Sequence, residues 1–61
     1  MEDKKARILD FLKNVGRAST ARIASAIKSN QWMAERYLEE LRKEGRARRK
    51  NETRATYWEK V

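Results

Sequence analysis

Apolar residues recur through residues 3–15, DKKARILDFLKNV, at helical and not strand spacing. Ile8, Phe11, Leu12 and Val15 fall on one side, with Leu9 on its flank, and predict a first helix buried along that stripe. Asp3 stands where an N-cap belongs and meets the positive end of the helix dipole, and Gly16 stands where the helix should stop. Arg17 to Ser19 is too short for more than a loop or a single β-bridge. A second helix is predicted from Thr20 to about Lys28, capped by Ser19 or Thr20. Its Ile23 and Ile27 point inward, and Ala24 and Ala26 are small enough to admit a neighbouring helix closely.

The stretch Ser29 to Gly45, SNQWMAERYLEELRKEG, reads as a third helix. Ser29 is the expected N-cap, with the helix beginning at Asn30, and Gly45 takes the left-handed position that ends it. Ala34, Tyr37, Leu38 and Leu41 form its core stripe, with Met33 packing beside it. The opposite side carries Trp32, Glu35, Arg36, Glu39 and Lys43. A residue or two around Lys28 and Ser29 separates the second helix from the third, which forces the steep crossing of a helix-turn-helix. Beyond Gly45, Arg46–Lys50 and Arg54–Val61 predict two strands joined by a polar turn at Asn51, Glu52 and Thr53. An isolated hairpin is unstable in water, so this one must lean on the helices, with Trp58 as the tie to the first and third. Residues 1–61 thus predict one α+β domain, a small winged helix-turn-helix of three helices followed by a two-stranded β-hairpin wing.

A chain of 61 residues buries only about 60 % of its unfolded surface, which leaves about 3–5 kcal/mol of stability. There is no cysteine and no histidine, so disulfides and the usual zinc spacings are excluded and no cofactor or metal is expected. No apolar run approaches the roughly 20 residues that span a bilayer, and none reads as a signal peptide. The expectation is a cytoplasmic protein, nucleoid-associated if bacterial, with no membrane and no small-molecule substrate among its partners. The net charge of +7 is unevenly placed: residues 1–30 carry an excess of four positive charges, residues 31–45 an excess of one negative, and residues 46–61 four positive again. Such flanks attract polyanions, nucleic acid first. Catalysis has no support, because adjacent Glu39 and Glu40 diverge by about 100° on a helix and no nucleophile–base pair or phosphate cradle is present.

ILDFL at 8–12, TARIASAI at 20–27, Ala34, YLEELRKEG at 37–45 and ATYW at 55–58, with an aromatic at Trp32, resemble the winged helix-turn-helix superfamily over the whole chain. Within it they resemble the small fimbrial phase-variation regulators of the PapI/FaeA family. Members of that family bind DNA and help control pilus operons, generally beside the leucine-responsive regulatory protein, so the resemblance implies DNA binding and transcription regulation, at a pilus, prophage or plasmid operon. Z-DNA-binding winged domains also place a Trp near position 58. They carry an Asn and a Tyr four residues apart on the recognition helix, where this chain has Glu35 and Glu39, and two carboxylates against phosphate argue against left-handed DNA.

Double-stranded DNA is therefore the expected partner, with a second DNA-bound regulator or a second subunit beside it. Asn30, Gln31, Trp32, Glu35 and Arg36 lie on the first turns of the third helix, the part that enters a major groove. Gln pairs bidentately with adenine, Arg with guanine, and Glu accepts from cytosine N4. The bland counterpart is a solvated face, with Glu39 and Lys43 as an i,i+4 pair and Trp32 folded over Arg36 in a cation–π contact. Arg46, Arg48, Arg49, Lys50 and Arg54 form a basic wing suited to phosphate. Lys4, Arg7 and Arg22 are further candidates for backbone contacts, and Tyr57 and Trp58 are expected to be core pins. The competing reading is a protein-interaction winged-helix module that has lost DNA binding and docks through Trp32 and its neighbours, favoured by Glu35, Glu39, Glu40 and Glu44.

Overall fold

The computed structural model describes residues 3–61. Helix α1 spans Lys4–Val15, β1 Arg17–Ser19, α2 Thr20–Ala26, α3 Gln31–Lys43, β2 Ala47–Glu52 and β3 Ala55–Lys60. Asp3 caps α1 as expected, its carboxylate accepting from the Lys5 N–H at 3.0 Å. Ser19 caps α2 through its Oγ, which accepts from the Arg22 N–H at 3.2 Å. The cap of α3 is Asn30 and not Ser29: its Oδ1 accepts from the Met33 N–H at 2.8 Å.

Ser29 is displaced from that role by the end of α2, which closes at Ala26, two residues before the predicted boundary. Lys28 adopts φ 55°, its N–H donates to Ser25 O at 3.2 Å, and the Ser29 N–H reaches back to Ala24 O at 2.8 Å. This is a Schellman turn with lysine at the left-handed position usually filled by glycine. The same closure recurs after α3, where it is built on Gly45 at φ 76°: Gly45 N–H bonds Arg42 O and Arg46 N–H bonds Leu41 O. Lys4 spans the first pair of helices, its ammonium donating to Ile27 O at 3.3 Å.

Two expectations about strands are corrected. Arg17–Ser19 is a true strand, antiparallel to β3 with Ala18 opposite Trp58, so the hairpin is the larger part of a three-stranded sheet of order β1-β3-β2. The turn falls at Thr53 and Arg54, while Asn51 and Glu52 continue β2 opposite Thr56 and Ala55. Asn51 stays in the ladder because its Oδ1 accepts from the Thr56 hydroxyl at 3.2 Å.

Ile8, Leu12, Ala18, Ile23, Ala24, Ile27, Ala34, Leu38, Leu41, Ala47 and Trp58 form one core, with Leu9, Phe11 and Tyr37 packed at its edge. Val15, expected in the stripe, is 37 % exposed; it ends α1, one turn past Leu12. Trp58 is 1 % exposed. Its indole N–H donates to Thr20 Oγ1 at 2.9 Å, so its polar tie is to the start of α2 and not to α3, while β3 also packs against α1. Tyr57, one residue away, points to the other sheet face and lies under the Arg17 guanidinium, 4.3 Å from ring centre; it is not a core residue.

Replacing a buried Trp by Ala costs about 3–5 kcal/mol, comparable with the whole stability of so small a chain. Trp58→Ala should be largely unfolded at room temperature by circular dichroism. Thr20→Val leaves the buried indole donor without a partner, a loss of about 1–3 kcal/mol, and should lower the melting midpoint while preserving a cooperative transition.

Candidate nucleic-acid interface

The core stripe of α3 turns its other side outward as a shallow open surface lined by Trp32, Glu35, Arg36, Glu39, Glu40 and Lys43. Trp32 is 63 % exposed, and the Arg36 guanidinium stacks on its ring at 5.0 Å. Gln31 and Glu35 are exposed beside them. Asn30 shares this end of the helix, but its carbonyl oxygen is committed to the cap. Only its amide N–H donors remain for a ligand.

One carboxylate bridges this surface and the wing. Glu39 accepts from Arg42 Nε and Nη2 at 3.2 and 2.9 Å on one oxygen, and from Arg49 Nη1 at 3.4 Å on the other. The Glu39–Lys43 pair of the bland reading is replaced by these contacts with Arg42 and Arg49. Arg42 first, and Arg49 after it, hold the Glu39 carboxyl below its ordinary value of 4.5. The flanking position, Glu40, faces α1 instead: Lys5 lies 3.9 Å from Glu40 and donates to Glu44 at 2.7 Å, which raises the lysine pKa.

The five wing cations differ in what they meet. Arg46 precedes β2 at the C-terminal end of α3, 4.0 Å from Glu44, far along the helix from Gln31. Arg49 shares the inward sheet face with Trp58, its register partner, and is held by Glu39 and by Asn51 Oδ1 at 3.4 Å. Arg48 and Lys50 alternate onto the outward face, where Lys50 approaches Glu59 at 3.7 Å. Arg54 is at the tip. Arg48 and Arg54 have no carboxylate partner among the described residues. Of the helical candidates, Lys4 is occupied by the α2 carbonyl and Arg22 lies over the Phe11 ring at 5.9 Å.

Three residues outside the predicted site brace it. Arg42 and Glu39 were legible as an i,i+3 pair, although Arg49 as a third member was not. Arg17 pairs with Glu52 across the sheet and stacks on Tyr57, which raises its pKa; nothing in the sequence signals this without knowing that β1 joins β3.

The family model described as FaeA-like protein matches residues 4–60. Among solved structures, the chain is similar to the Zalpha domain of PKZ from Carassius auratus in complex with Z-DNA, at 24 % identity and TM-score 0.89, covering 95 % of this chain and 92 % of that one. It is similar to the homodimeric winged helix-turn-helix DNA-binding domain Mb0332 from Mycobacterium bovis, at 26 % identity and TM-score 0.87, over 93 % of this chain and 52 % of that one. It is also similar to ZitR from Lactococcus lactis in complex with DNA, at 19 % identity and TM-score 0.89, over all of this chain and 43 % of that one. The chain spans about half the length of the last two. No curated protein sequence matches it.

Glu39 has a depressed folded-state pKa, so its ion cluster favours folding above the ordinary carboxylate range and loses that contribution as pH falls through the lowered value. By carbon-detected NMR its carboxyl should titrate below 4.5. Arg42→Gln should move it up further than Arg49→Gln does.

Proposed function

The chain belongs to the FaeA-like protein family, and from that premise we propose that it is a transcriptional regulator that binds double-stranded DNA, with the first turns of α3 in the major groove and the wing on the phosphate backbone. Support comes from the closeness of wing and recognition helix: Arg49 on β2 reaches Glu39 in the middle of α3, while the buried Trp58 holds the sheet in place. Recognition helix and wing are thereby offered as one surface. Gln31, Glu35 and Arg36 supply base-edge donors and acceptors at the helix start, Trp32 an apolar edge for a thymine methyl or sugar, and Arg48 and Arg54 unpaired positive charge.

Similar folds seen with DNA and as a homodimer lend the reading support without supplying its details. Right-handed duplex is favoured over Z-DNA, because α3 presents carboxylates at Glu35 and Glu39 and Trp58 is buried. One recognition helix reads few base pairs, and each mismatch costs about 1–3 kcal/mol. The four glutamates at 35, 39, 40 and 44 weaken its attraction to phosphate. A single copy is accordingly an accessory regulator, binding in the range of about 10⁻⁴–10⁻⁶ M and gaining occupancy beside a second subunit or another DNA-bound protein. The exposed Trp32 is the anchor available for that contact.

Titration of short duplexes at several salt concentrations tests this reading. Arg48→Ala and Arg54→Ala should each flatten the log–log salt dependence by about one unit, equally on selected and random duplexes. Trp32→Ala should preserve the fold and the salt slope and abolish site preference or cooperative assembly. Nanomolar binding by a lone monomer, unchanged in Trp32→Ala, would defeat the accessory role; no salt-dependent binding at all would leave the protein-interaction module as the function. Mixing the protein with alternating CG duplex should not invert the circular dichroism spectrum, and inversion would make it a left-handed DNA binder.

A further inference from the structure

Glu39 is half-exposed on the wing-facing flank of the outward surface of α3, between Trp32, Glu35 and Arg36 toward the helix start and Lys43 toward its end. A carboxylate at that place repels phosphate, yet it is the acceptor for two guanidinium groups, one on each oxygen. Arg42 engages it through a two-donor fork, Nε and Nη2 on the same oxygen. That planar fork suits phosphate as well as carboxylate. All three side chains are reachable by solvent. Exposed pairs of this kind are weak, so a phosphate arriving at the helix–wing junction can take the arginines over.

We propose that Glu39 is an intramolecular stand-in for a DNA phosphate, which holds Arg42 and Arg49 until a well-fitted duplex displaces it and thereby suppresses binding to non-specific DNA. The inference rests on the DNA-binding reading above. Arg48 and Arg54 attract any duplex from outside this cluster. Arg42 and Arg49 add their charge only where the duplex sits closely enough against α3 to exchange acceptors. Loose, sequence-independent complexes therefore go without the charge of Arg42 and Arg49, and only a docked duplex, which displaces Glu39, gains it. Glu39 is thus a specificity-determining residue although it need touch no base.

The test compares the parent chain with Glu39→Gln on a random duplex pool and on the duplex the parent selects from it, across salt concentrations. Glu40→Gln makes the same charge change on the same helix without freeing either arginine, and is the control. Thermal melts establish that both variants are folded. Glu39→Gln should bind random duplex about tenfold more tightly, steepen the log–log slope by about one unit for each arginine released, and reduce the ratio of selected to random affinity. Glu40→Gln should do markedly less. A parent that fails to bind while Glu39→Gln binds is the same effect in its strongest form. Equal slopes in parent and Glu39→Gln, or equal gains in both variants, would overturn the proposal and leave DNA binding standing. So would a loss confined to the selected duplex, which would make Glu39 a base reader. If neither parent nor Glu39→Gln binds any duplex, the DNA-binding reading falls and this inference with it.

Discussion

The indole of Trp58 joins parts of the chain that have no other reason to meet. Its ring belongs to the core between the sheet and the helices, with the small, buried Ala18 opposite it on β1 and Arg49 opposite it on β2. Its N–H is satisfied by Thr20, the residue at which β1 gives way to α2. One side chain therefore sets the sheet against the helix-turn-helix. A two-stranded hairpin is marginal alone; with β1 added on the far edge and Trp58 beneath, it becomes a fixed wing.

The surface follows a different economy. Ion pairs at Lys5–Glu44, Arg17–Glu52, Glu39–Arg42 and Lys50–Glu59 are exposed or half-exposed, and such pairs add little to stability. What they determine is where positive charge is left over. Neutralised cations cluster at the roots of the wing and along the α1–α3 seam, while Arg48 on the outward face and Arg54 at the tip keep theirs. How the net charge of +7 is distributed over the surface depends on this pairing, which a count of lysines and arginines does not convey.

Much of this fold was legible in the sequence because it is carried by local signals. The 3.6-residue stripes of α1 and α3, the cap at Asp3 and the glycine closing α3 are decided by neighbours in the chain. What was misread depended on distant ones. Arg17–Ser19 carries no strand pattern and is a strand only because β3 offers an open edge. Ser29 is as good a cap as Asn30 by residue type; the Schellman closure at Lys28, with no glycine to announce it, moved the helix start by one residue. At the site, the exposed face of α3 followed from periodicity alone. The partnering of Glu39 with Arg49 did not, since ten residues and a chain reversal lie between them.

The two tryptophans occupy opposite environments, one sealed in the core and bonded through its nitrogen, the other open to water under an arginine. Their emission is correspondingly separable. The solvated indole of Trp32 fluoresces to the red and is accessible to a small collisional quencher, whereas Trp58 is shielded until the chain unfolds. Quencher-sensitive light reports what happens at α3, and quencher-resistant light reports the integrity of the fold. An experimenter can therefore watch ligand docking and unfolding independently in a single unlabelled sample, without adding a probe to a surface this small.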